Sequence, residues 1–306
     1  NVNAQNEKKI KFSKGTLKIC SSKKFEITGY DGDEVIIKSL HKNRYTYSTI
    51  ASTKHNIQGS TNSIAKLGTT ISSSGNNQNG VVHYFVDTKR SKGLKKLGKK
   101  NENKELGIYF VIEEKDGELI FKDNRQKGTF VMVSSDERYE IKIPNSIKLN
   151  WVTGSCENEE KTYTGTLVKG RANQTVLFYN SNPSSLNDFS GEVEISSTLS
   201  NVKLKDVVGP VSINTVGGNI TIEFDNKKPT KLYSIYTNNG FIDITLPSSS
   251  AVNVDATGKA IYSDIDFKID DEKEEDNFHH MKLRLNGGKS KMKLNAGLGN
   301  IYLRKQ

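Results

Sequence analysis

Between residues 190 and 224 the chain repeats itself every nine residues. Val193, Val202, Val211 and Ile220 are spaced by nine, and so are Ile195, Leu204, Ile213 and Ile222, each two places further on. A third column runs just ahead of them: Gly191, Ser200, Gly209 and Gly218. Two aliphatic residues separated by one polar residue put both side chains on one face of a strand. A glycine just before them permits a corner that another residue would crowd. One such unit is too short to bury its apolar face alone, so the pattern demands that units stack.

The reading that follows is an all-β chain, a parallel β-helix or β-solenoid with polar loop insertions. Right-handed winding is expected by analogy with parallel crossovers. Two nine-residue steps make a coil near the minimum size, with two or three strand faces in cross-section. An antiparallel sandwich or barrel would also place turns every 8–12 residues, but three columns in phase favour the solenoid. Composition agrees: 34% of the chain is hydrophobic and mean hydropathy is −0.61, which suits a thin, repeated core better than one thick core. The apolar positions are too regular for a disordered chain.

After residue 224 the beat loosens. Asn239-Gly240 precedes Ile242, Ile244 and Leu246; Val252 and Val254 follow, and Ile265, Phe267 and Ile269 form another run. Asn286-Gly287-Gly288 precedes Met292 and Leu294, and Gly299-Asn300 precedes Ile301 and Leu303. Residues 225–232 and 270–280 read as loops ejected from the coil.

The first part of the chain also alternates. GTLKIC (15–20) and KKFEITGYDGDEVIIKS (23–39) read as strands turned at Asp31-Gly32, and VVHYFV (81–86) as another. LGIYFVIEE (106–114), GELIFK (117–122), GTFVMVS (128–134), YEIKIP (139–144), IKLNWV, GTLVKG and TVLFYN continue the series to residue 180, with a tight turn at Asp116-Gly117. Trp151, the one tryptophan, sits in an alternating run and reads as a packing residue. Residues 48–80 are dominated by serine, threonine, asparagine and glycine and read as a polar loop. Residues 89–104 are a lysine-rich excursion with a helical turn expected around Leu94 and Leu97. The expected organisation is a tail over 1–9, a β-rich N-terminal part over 10–180 with an insertion at 48–104, and the regular solenoid over 181–306.

Several segments resemble the putative-adhesin family of bacterial cell-envelope proteins, a domain family of unknown function. They are SGEVEISS, VVGPVSINTVGGNITIEF, TNNGFIDITLPSSSAVNVDATGKAIYSDIDF and LNGGKSKMKLNAGLGNIYL in the second half. FEITGYDGDEVIIKS and the stretch from SKGLKKL through LGIYFVIEEKDGELIF carry the likeness in the first. The resemblance implies a β-solenoid, exported or envelope-associated, with no established catalytic residues to carry over. The insertion at 48–80 is longer than the family pattern.

Val2 and Ala4 have the small-x-small spacing of a signal-peptidase site, with cleavage before Gln5. Export to the periplasm, the outer membrane or the cell surface is therefore expected. No apolar run is long enough for a membrane-spanning helix. Cys20 and Cys156 are the only cysteines and lack the spacing of a metal or redox motif; a bridge between them is open in an oxidising compartment.

The formal net charge is +10, carried mostly by lysine. Readers of nucleic-acid sequence lean on arginine forks, so no specific nucleic-acid partner is expected. Lys89, Arg90, Lys92, Lys95, Lys96, Lys99 and Lys100 form the candidate contact surface for an anionic glycan, lipid headgroup or other polyanion.

Catalytic and metal chemistry finds little support. GGNITIEF puts isoleucine, threonine and glutamate where calcium-binding nonapeptide rolls need glycine and aspartate. The acidic run from Asp264 to Asp276 reads as a solvated loop. His279 and His280 are adjacent and on a strand would face opposite ways. Ser155 lacks a GxSxG elbow and a supporting base. Glu192, Glu194, Glu223 and Asp243 are outward positions from which a solenoid enzyme could assemble a carboxylate pair. No cofactor, metal site or catalytic residue is expected. The leading expectation is a non-enzymatic adhesin or envelope scaffold with a lateral binding surface for a glycan or envelope component; the alternatives are a polysaccharide-processing solenoid enzyme or an envelope signalling partner.

Overall fold

Consecutive nine-residue beats go to different sheets, and every second beat pairs in parallel. Val193–Ser197 lies beside Val211–Gly217, with Val193 opposite Val211 and Ile195 opposite Ile213. Val202–Lys205 lies beside Ile220–Glu223, with Val202 opposite Ile220 and Leu204 opposite Ile222. Each of these strands thus meets its equivalent eighteen residues on. A computed structural model of the protein describes residues 7–21, 23–40, 46–51, 69–73, 80–85, 102–123, 130–132, 138–153, 184–197 and 200–306.

Among these the chain is all-β apart from a four-residue helix, Glu102–Glu105. It forms a ten-stranded sheet, an eleven-stranded sheet and a separate four-stranded sheet. Both large sheets are mixed: parallel pairing dominates between residues 184 and 305, and antiparallel strands close their ends. Inward residues of the two sheets form one continuous core. One row crosses the ten-stranded sheet as Ile141, Ile27, Leu186, Leu204, Ile222, Ile244 and Leu303. Another crosses the eleven-stranded sheet as Phe121, Ile19, Trp151, Ile195, Ile213, Ile235 and Leu294. Each fully buried aliphatic contributes about 1.5–3 kcal/mol.

The corners explain two features of the repeat. Of the corner column only Gly218 has a left-handed backbone, at φ 109°. Gly209 is required by crowding instead: a Cβ there would stand 1.9 Å from the Gly191 carbonyl oxygen. Where the beat substitutes a hydroxyl for the last aliphatic, that hydroxyl is buried and satisfied. Ser197 Oγ donates to the Ser200 carbonyl at 3.3 Å, Thr215 to the Gly217 carbonyl and Thr237 to the Gly218 carbonyl at 3.3 Å.

Asp206 supports the opposite corner. It is 2% exposed and sits at φ 52°, a region that aspartate tolerates better than most residues. Its carboxylate accepts the backbone amides of Asp225 at 2.8 Å and of Asn226 and Lys227 at 3.1 Å each. Burial pushes its pKa upward, but the three amides outweigh this and hold it below the usual carboxylate value. The stabilisation is therefore full above the unfolded-state pKa and disappears as pH falls through the folded one. Asp206→Asn is expected to cost about 1.5–3 kcal/mol at neutral pH. In paired urea titrations the gap to the parent should close as pH is lowered below 4; a gap independent of pH would refute this role.

Several local expectations change. Glu7–Lys11 pairs antiparallel with Glu34–Ser39, so residues 7–9 are strand rather than tail. The polar stretch 48–80 carries strand: Thr46–Ala51 and Thr69–Ser73 flank Gly80–Phe85, with Phe130–Met132 on the outer side. Its β-branched threonines suit strands without raising hydropathy. Residues 270–280 are not an ejected loop. Lys268–Glu275 and Phe278–Leu285 form an antiparallel hairpin on the edge of the eleven-stranded sheet. Ion pairs cross it, Arg284–Asp270 at 2.5 Å and Lys282–Asp271 at 3.4 Å. The runs GTLVKG and TVLFYN and the turn expected around Leu94 and Leu97 lie outside the described residues.

The last strands are not added in chain order. Ser290–Asn295 lies between Tyr233–Asn239 and Val252–Gly258, parallel to both. Ile301–Lys305 lies between Ile242–Leu246 and Ile261–Ser263, again parallel to both. Both strands are inserted between earlier ones rather than added at a sheet edge.

Candidate functional site

Because inward positions are filled by the core, any site must be built from the alternate, outward side chains. Register sets these in rows across each sheet. On the eleven-stranded sheet a shallow depression is lined by Thr16, Glu118, Lys148, Leu149, Asn150, Glu192 and Glu194. Lys148 Nζ meets Glu192 Oε2 across it at 2.8 Å.

The four carboxylates expected as outward positions are outward, but they divide between the sheets. Glu192 and Glu194 share the depression. Glu223 and Asp243 belong to the other sheet, where Glu223 pairs with Lys203 at 2.9 Å and Asp243 with Arg304 at 2.8 Å. No single cleft holds all four. His279 and His280 are successive residues of one strand. His280 Nδ1 lies 2.9 Å from Thr257 Oγ1 and its Nε2 lies 3.5 Å from Asp255; His279 Nε2 is 4.0 Å from Glu274. Among the described residues no three His, Cys, Asp or Glu side chains gather as metal ligands.

Trp151 is 1% exposed and packs edge-on to Phe25, with ring centroids 6.4 Å apart. Cys20 is disulfide-bonded; the sequence holds one other cysteine, Cys156, which lies outside the described residues. So do Ser155 and the basic set Lys89, Arg90, Lys92, Lys95, Lys96, Lys99 and Lys100.

The most developed group of outward side chains lies near the far end of the ten-stranded sheet. Asp243, Tyr302 and Tyr262 form one outward row across three neighbouring strands. The rings of Tyr262 and Tyr302 stack at 5.4 Å with planes 12° apart. Phe241 meets Tyr302 edge-on at 6.1 Å, and the Arg304 guanidinium lies 5.5 Å from the Tyr302 centroid, within cation–π range. Arg304 Nε donates to both Asp243 oxygens, at 2.8 and 3.1 Å. That hydrogen bond, with the carboxylate charge, raises the arginine pKa above its ordinary value. Asn300 Nδ2 donates to the Tyr302 hydroxyl at 3.2 Å. Tyr262 is 54% exposed, and its strand is the last of the sheet.

Sequence reasoning singled out Asp243 alone of this group. A signal was present: Tyr262 and Tyr302 occupy the outward slot of an Ile-x-Ser and an Ile-x-Leu unit, where the regular beat carries glutamate, lysine, serine or threonine.

Among the described residues no helix is long and apolar enough to cross a membrane. No protein-family model matches the chain, and no curated protein matches it. Among solved structures it is similar to a putative cell adhesion protein from Clostridium sporogenes ATCC 15579. The two share 14% sequence identity over 98% of this chain and 99% of that chain, with a TM-score of 0.37.

Proposed function

We propose that the chain is an exported, non-catalytic β-solenoid, wound right-handed, that acts as an adhesin or envelope scaffold by presenting its outer sheet faces as a lateral binding surface. The observation that carries this reading is the eighteen-residue parallel register, which lines up outward side chains from successive strands in long rows. The half-and-half division of carboxylates, each of Glu192, Glu223 and Asp243 held by a cation, favours binding over bond cleavage. The disulfide at Cys20 suits an oxidising compartment outside the cytosol. The winding sense rests on the handedness of parallel crossovers.

A binding screen of the purified chain against glycans, matrix proteins and envelope fractions tests the proposal. Saturable binding without release of soluble product is the expected result. Product release from a polysaccharide would replace it with the hydrolase reading, with Glu192 and Glu194 as the first residues to substitute. Failure to bind any component would remove the adhesin role.

A further inference from the structure

We infer that Tyr262, Tyr302 and Phe241, with the Asp243–Arg304 pair beside them, form a binding subsite for an uncharged oligosaccharide. The inference rests on the lateral-binding reading and narrows it to one place and one ligand class.

Three observations converge on saccharide. Two tyrosine rings stack on an outward face, and one of them is 54% exposed on a strand that ends its sheet among the described residues. A pyranose has a face rich in C–H groups that packs on such a ring, and tyrosine adds a polar tip for the hydroxyl rim. Next to the rings, Asp243 and Arg304 place acceptor and donor groups side by side. Neighbouring sugar hydroxyls need both, since each donates and accepts.

Carboxylate and guanidinium satisfy each other at 2.8 Å, and the further charge that acts on Arg304, Asp264, is a carboxylate, so no unpaired cation faces the rings. Thr221 and Thr245 are the register neighbours of Asp243 on the adjoining strand and of Arg304, respectively, and are uncharged. That balance matches a neutral ligand rather than the polyanion expected for the lysine-rich segment. A protein partner would want a larger dry centre depleted of charge, whereas here an ion pair stands beside the rings.

The test uses the full chain and three probes: hexasaccharides of β-1,4-glucose, β-1,4-N-acetylglucosamine and α-1,6-mannose, titrated by calorimetry and by saturation-transfer NMR. At least one should bind. Tyr262→Ala should weaken that binding about tenfold or more, which corresponds to about 1.4 kcal/mol, with an unchanged melting temperature because the ring is exposed. Tyr262→Phe should keep most of the affinity. Tyr236→Ala is the control: Tyr236 is also exposed, at 41%, but belongs to the other sheet, and its loss should leave binding as it was.

Parent-like affinity in Tyr262→Ala overturns the subsite, as does an equal loss in Tyr236→Ala. If no hexasaccharide binds while an envelope fraction still does, the subsite is wrong and the broader reading stands. If neither binds, both are wrong.

Discussion

Removing residues 290–306 is expected to unfold the molecule from residue 233 onward, not merely to shorten it. Ser290–Asn295 and Ile301–Lys305 are interior strands, each with a parallel neighbour on both sides. Their loss opens a gap in both sheets at the same level. Met292, Leu294, Ile301 and Leu303 are all at most 2% exposed. At about 1.5–3 kcal/mol each, they contribute on the order of 6–12 kcal/mol of burial. That rivals the whole net stability of a typical domain, about 5–15 kcal/mol. The strands left behind, Tyr233–Leu246 and Val252–Ser263, would each face solvent along an edge now covered. Hydrogen exchange on a chain ending at residue 289 should show those amides exchanging near free-chain rates. The strands up to Glu223 should remain protected. A peptide spanning residues 288–306, added in trans, should restore protection. Retained protection in the truncated chain without the peptide would show that the inserted strands are dispensable.

Gly209→Ala should cost about 2–4 kcal/mol, an unusually large penalty for one methyl group. The new Cβ would stand 1.9 Å from the Gly191 oxygen and 2.7 Å from the Ser190 oxygen. Both are backbone atoms and cannot rotate away. Nor can the corner slide apart, because Val208 N donates to the Phe189 carbonyl at 2.9 Å and Val193 N to the Pro210 carbonyl at 2.8 Å. Gly117→Ala is the matched comparison. Gly117 has φ 79° and nothing within 4 Å of a Cβ, so only backbone strain is paid, about 1–2 kcal/mol. Denaturant midpoints of the two variants separate crowding from conformational strain. Equal losses would mean that the close approach at residue 209 relaxes without cost.

The beat itself was legible because it depends on local spacing alone: Val193, Ile195 and their successors had to share a face wherever they went. Alternation says which face a side chain takes, however, and not which strand lies beside it. That is why Met292 and Leu294 could be read as inward while their insertion between Tyr233 and Val252 could not. Glycine in the corner column was legible as a requirement, but its cause at residue 209 is an oxygen eighteen residues back. The Tyr262–Tyr302 stack joins residues forty apart and exists because Ile301–Lys305 lies beside Ile261–Ser263. Asp206 looked like one polar residue among many, since nothing local marks the three amides from the next corner that it receives. The hairpin at 268–285 was missed because its first strand, Lys268–Glu275, is charged and exposed, although Met281, Leu283 and Leu285 alternate along the second.

The insertion of Ser290–Asn295 and Ile301–Lys305 between earlier strands also sets a schedule. In a plain repeat array each unit can dock as soon as it exists, and order spreads along the chain from any starting point. Here the strands ending at Ser263 meet no partner toward the rest of the stack until the residues after 290 have arrived. A chain emerging N-terminus first can order its earlier strand pairs as they appear, but this level closes only once residues 290–305 have emerged. Closure of that level is thus a late, long-range event, set by strands that follow the ones they separate by about thirty to fifty residues.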